Sequence, residues 1–162
     1  MGGDGPGGEA EADRWPAAQG AYNQSMTSRE ERAAAAQRRV NLSAQHAKLE
    51  SSRAQVLIDE FVQQAKARGM EPVALKAKTL DGHLVKTDKR GWYIRQNRSL
   101  AIGTDGEYFV LIVPGGWMER LRGVKLEASD PPLYVGKGGR DGETGDLKEF
   151  LAWTLDGKVP QS

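Results

Sequence analysis

The chain has 162 residues, 23 basic and 22 acidic side chains, two histidines and no cysteine. The missing cysteines exclude disulfides, thiolate catalysis and Cys-ligated zinc. No stretch nears the roughly 18 apolar residues that span a bilayer, and the N-terminus lacks the basic start and apolar run of a signal peptide, so the expectation is a soluble cytoplasmic protein without membrane insertion.

Residues 1–28 are rich in Gly, Ala, Glu and Pro and show no apolar period. Such a segment cannot offset its ordering entropy by burial, and it is expected to be a disordered tail. Residues 29–51 are dominated by good helix formers, but Val40, Leu42 and Leu49 are the only large aliphatics. Leu42, Leu49 and Val56 fall seven apart, yet His46 and Arg53 occupy the intervening positions and break the heptad. The expectation is a solvated helical extension that could dock onto a partner.

Residues 52–68 form a better amphipathic pattern. Ser52 and Gln55 have capping-box spacing, and Val56, Leu57, Ile58, Phe61, Val62 and Ala65 gather on one side. Gly69 and Pro72 close this helix.

From residue 73 the period shifts towards two. Val73, Leu75 and Ala77 alternate with Ala74, Lys76 and Lys78. Asp81-Gly82 predicts a hairpin turn, with a second strand over about 83–87. Asp88-Lys89-Arg90-Gly91 predicts a further turn. A third strand follows to Arg95, with Trp92 and Ile94 on the inner face and Tyr93 and Arg95 on the outer. Leu100 and Ile102 mark a fourth strand, and Asp105-Gly106 is the clearest hairpin signal.

Residues 107–113, EYFVLIV, predict a strand that is central or covered on both sides, with Val110 among its buried residues. Trp117, Met118 and Leu121 suggest a short helical turn. Strands are expected over 124–127 and 133–135, a Gly-rich connection over 136–145, and a closing helix over 146–155. The fold class is therefore α+β: a curved antiparallel sheet of about six or seven short strands with a preceding helix and a C-terminal capping helix. Residues 52–157 would form the single domain and 158–162 a tail.

Charge is unevenly spread. Residues 71–98 carry seven basic and three acidic side chains. Lys76, Lys78, Lys86, Lys89, Arg90, Tyr93, Arg95 and Arg98 form the candidate binding face, with cations for phosphates or carboxylates and Tyr93 as a stacking surface. The alternative is a plain solvated face, since Lys and Arg also guard sheet edges.

Other motifs are weaker. GKGGRDG matches neither a phosphate loop nor a dinucleotide fingerprint. Asp141, Glu143 and Asp146 lack EF-hand spacing. His83 could pair with Asp81 or Asp88, but no nucleophile, base and orienter are placed together by the sequence.

The expected function is a non-catalytic binding module engaging a protein or other anionic macromolecule, with no cofactor and no metal. The alternatives are nucleic-acid binding through the same face and an adaptor docking through the 29–50 helix.

Overall fold

One helix, α1, spans Gly7–Ala67, and good helix formers dominate it from residue 29 onward. The computed structural model describes residues 7–115, 122–136 and 144–162, with side chains from Thr27 onward. The tail expected over 1–28 therefore falls almost wholly outside the described side chains. So does the helical turn expected at Trp117–Leu121. Ser52 does not begin a new helix. Its hydroxyl donates to the Lys48 carbonyl at 2.9 Å, the back-bond a serine makes inside a continuous helix.

Two units make up the chain, Met1–His46 and Ala47–Ser162. In the first, the described residues Thr27–His46 are exposed or half-exposed, Val40 and Leu42 included. Over these described residues the helix has no buried stripe, as its thin apolar content predicts.

The second unit is built on a meander. Strand β1 is Val73–Thr79, β2 Leu84–Tyr93, β3 Leu100–Gly103, β4 Tyr108–Val110 and β5 Ile112–Val113. The order is β4-β3-β2-β1-β5. All pairings are antiparallel except β1 with β5, which is parallel, so the sheet is mixed rather than purely antiparallel.

That parallel pairing has a structural consequence. β4 and β5 are separated only by Leu111, which is fully buried. The Leu111 amide donates to the Ser99 carbonyl at 2.8 Å, and its carbonyl accepts from the Lys78 amide at 2.6 Å. One run of chain therefore reaches both edges of the meander, and the sheet rolls closed. Closure leaves no long unpaired edge there. It also creates an interior, filled by Leu75, Tyr93, Ala101, Phe109, Leu111, Leu126 and Val159.

The outer surface of the sheet is half covered. Ala54, Ile58, Phe61, Val62 and Ala65 of α1 pack on Trp92, Ile94, Leu100, Ile102 and Tyr108, joined by Leu147, Phe150 and Leu151 of helix α2, Leu147–Leu155. A small ribbon, β6 Tyr134–Val135 with β7 Gly145–Asp146, leads into α2. Within 107–113 Tyr108 is buried on the helix-covered face, and beyond it burial alternates. Phe109 and Leu111 face the interior, while Val110 and Ile112 are 42% and 46% exposed. Val110 is thus a surface residue, contrary to the expectation that it is buried.

The expected turn at Asp88–Gly91 is not a turn. β2 runs through it, and the register with β1 slips there: Ala74 pairs with Arg90, but Lys76 pairs with Lys86. Thr87, Asp88 and Lys89 together oppose Leu75 alone, which makes a β-bulge. Segment 124–126 docks on this bulge. Val124 exchanges backbone hydrogen bonds with Lys86 (2.8 Å) and Asp88 (3.2 Å), which gives a single bridge rather than the strand expected over 124–127.

Tyr108 lies in the covered part of the sheet. Burial pushes its phenol up to about 12, against a smaller downward pull from Arg95. The folded pKa is above the unfolded value, so the neutral form stabilises the fold fully below pH ~10, and that stability is lost as pH rises towards ~12. Urea unfolding at pH 9 and pH 11.5 should show a loss of about 2 kcal/mol that Tyr108→Phe abolishes.

Candidate binding face

Alternation along β1 sends Leu75, Ala77 and Thr79 inward, so Lys76 and Lys78 point out and are exposed. On β2, Val85 is buried and Lys86 is exposed. Lys76 and Lys86 are direct cross-strand partners. Residues so placed hold their Cβ atoms roughly 4.5–5.5 Å apart, and like charges there are destabilising. Among the described residues neither lysine makes an ion pair, and neither does Lys78. The helices cover the sheet around Trp92 and Ile102 but not this end.

The remaining members of the predicted face divide. Lys89 is half-buried, with its Nζ 3.8 Å from Asp88 Oδ2. Arg90 is exposed, but its Nη2 donates to the Pro72 carbonyl at 2.9 Å.

Tyr93 is 3% exposed and faces the sheet interior. Its hydroxyl accepts from the Lys76 amide at 3.0 Å, and its backbone is bracketed by the Gln161 side chain at 2.8 and 2.9 Å. Arg95 is 9% exposed and donates to Ser99 Oγ at 3.1 Å. Arg98, at φ 57, lies over the Tyr93 ring at 5.5 Å and donates to the Ser162 carbonyl.

These three residues serve the hairpin and the C-terminal cover instead of forming an open stacking platform. An open sheet would have shown Tyr93 to solvent, but the closed one has no open inner face.

Two cations that the sequence reading did not select join the exposed lysines. Arg122 and Lys125 are exposed and line a groove of about 320 Å³ with Lys86, Thr87, Asp88, Gly123 and Val124. Nothing local marks them, because only the docking of 124–126 on the bulge brings them to Lys86. Gly123 permits this docking. Its φ is +82, and a Cβ there would lie 2.9 Å from the Lys86 carbonyl oxygen. Asp88 accepts from the Leu126 amide at 2.9 Å. That hydrogen bond holds its carboxyl below the usual range, helped by Lys89 and Lys125 and opposed by partial desolvation.

The other candidates give no assembled chemistry. His83 Nδ1 is 3.2 Å from Asp81 Oδ2. The Thr79 hydroxyl donates to the Asp81 carboxylate, so the hydroxyl engages the acid and not the imidazole. Asp141 and Glu143, with positions 137–143 of the Gly-rich connection, lie outside the described residues. Among the described residues no three His, Asp or Glu side chains gather as a metal site would need, and no helix is long and apolar enough to cross a membrane.

The chain matches no protein-family model, and comparison with curated proteins and with solved structures likewise finds no match.

Proposed function

We propose that the protein is a cytoplasmic, non-catalytic binding module whose β1–β2 surface engages an anionic macromolecular partner. The observation that carries this reading is the Lys76–Lys86 cross-strand pair, exposed and without an acidic neighbour in ion-pair range among the described residues. A fold gains nothing from two lysines held opposite each other, and an anion laid across them relieves their repulsion. Lys78 extends the same surface along β1, and Arg122 and Lys125 extend it beyond Lys86. The lack of cysteine fits a reducing compartment.

Nucleic acid is the second class of partner. The burial of Tyr93 counts against single strands held by base stacking, and leaves phosphate contact as the available mode.

The test is fluorescence anisotropy of the full chain with labelled polyglutamate, single-stranded RNA and duplex DNA across a salt series. The expected result is binding whose log affinity falls linearly with log salt. The double variant Lys76→Gln/Lys86→Gln should weaken it about tenfold while the melting temperature stays the same or rises, since the repulsion between the two lysines is removed. Absence of binding at low salt, or equal binding by the double variant, would reject the reading.

A further inference from the structure

The groove beside the bulge differs in kind from the flat lysine pair. Its walls carry Lys86, Arg122 and Lys125, and none of the three makes an ion pair among the described residues. They come from two chain segments locked together by backbone hydrogen bonds between Val124 and the Lys86–Asp88 bulge. The cations are therefore set on a fixed frame before any ligand arrives, which lowers the ordering cost of binding.

We infer that this groove binds a chain of linked phosphates, an oligophosphate, gripped by Lys86, Arg122 and Lys125. The inference rests on the anionic-partner reading and narrows it to a ligand class.

Three features of the lining favour this chemistry. First, among the described residues no aromatic side chain lines the groove and Val124 is the one aliphatic, so the described lining recognises by charge rather than by stacking a base or burying a lipid chain. Second, the Asp88, Val124 and Leu126 amides are all engaged within the protein. A cradle of free backbone N–H groups for one tetrahedral anion is therefore not built from them. Side-chain cations on separate walls suit several linked anionic groups better than one compact ion. Third, Arg122 supplies a guanidinium, which can take two phosphate oxygens at once, and the lysines act as point charges.

Asp88 also lines the groove and its carboxylate repels an anion. It is retained for a structural reason, since it accepts the Leu126 amide. An asparagine would keep that acceptor and lose the charge. This gives the test a variant expected to gain affinity.

Calorimetric titration of the full chain with sodium tripolyphosphate should show saturable binding that weakens with salt. Butane-1,2,3,4-tetracarboxylate, close to it in charge at pH 8 but built of carboxylates, should bind more weakly. Arg122→Gln and Lys125→Gln should each raise Kd about fivefold, while Asp88→Asn should lower it by a similar factor. All three positions are exposed, so thermal melts should confirm that the variants stay folded.

If Arg122→Gln and Lys125→Gln leave Kd unchanged while Lys76→Gln and Lys78→Gln raise it, the groove assignment is overturned and the basic face stands. A single-stranded RNA that outcompetes tripolyphosphate, with the same variant pattern, would overturn the oligophosphate in favour of nucleic acid. Failure of every anion to bind at low salt would remove both proposals together.

Discussion

Trp92→Ala should lower stability by about 3–5 kcal/mol, enough to bring the melting temperature down by about 12 °C or more. Trp92 is fully buried at the junction of sheet and helices. Its ring meets Phe61 of α1 edge-on, with centroids 5.8 Å apart and planes at 86°. Its indole N–H donates to the Met70 carbonyl at 3.1 Å, which ties the chain leaving α1 to the sheet.

Truncation therefore opens a cavity and also leaves a carbonyl without its donor. Trp92→Phe separates the two effects. It keeps an aromatic face towards Phe61 and loses only the hydrogen bond and part of the volume, so it should cost clearly less. Differential scanning calorimetry of the two variants measures both. Equal and small shifts would mean that this face of the sheet is not the packed one.

The second large effect is expected one residue earlier. Gly91→Ala should destabilise by about 3 kcal/mol or more through overpacking. A Cβ at Gly91 would stand 2.0 Å from the Ile102 carbonyl oxygen and 2.9 Å from the Gly103 Cα. Both blockers are backbone atoms of the paired strand β3, so a rotamer change cannot relieve the clash. The strands would have to part at the Gly91–Gly103 pair.

Gly103→Ala is the informative contrast. Its Cβ would meet the Glu107 carboxylate and the Phe109 ring edge, at 2.6 and 2.8 Å. The Glu107 carboxylate can swing aside and the buried Phe109 ring can shift only slightly, yet neither blocker is backbone, so the cost should be smaller than at Gly91. Denaturant midpoints that reverse this order would show that the close approach of β2 and β3 is not what Gly91 serves.

Much of the architecture is readable from local pattern. The step from a 3.6 period to a period of two near residue 73 separates helix from sheet, because each period reflects which side chains share a face. Asp81-Gly82 and Asp105-Gly106 fall in the turns predicted for them, and Gly82 and Gly106 both adopt positive φ. The closing helix also lies within one residue of its expected start.

The errors share one origin. Asp88-Lys89-Arg90-Gly91 has turn composition, but the docking of 124–126 stabilises a bulge there instead. Tyr93 alternates as an outward residue would, but the outward or inward sense of an alternation depends on what covers each face.

By itself, the sequence determined the class of fold, the places where helix gives way to strand, and the outward setting of Lys76 and Lys78. These follow from interactions among residues close in the chain. The tertiary structure alone decided that Leu111 joins the two edges of the meander, that Tyr93, Arg95 and Arg98 serve internal packing and the C-terminal cover, and that Arg122 and Lys125 stand beside Lys86. Those outcomes depend on pairings between segments far apart in the chain, such as Lys86 with Val124 and Tyr93 with Gln161, the latter 68 residues apart. No local periodicity encodes such a pairing, because its free energy exists only once both segments have found each other.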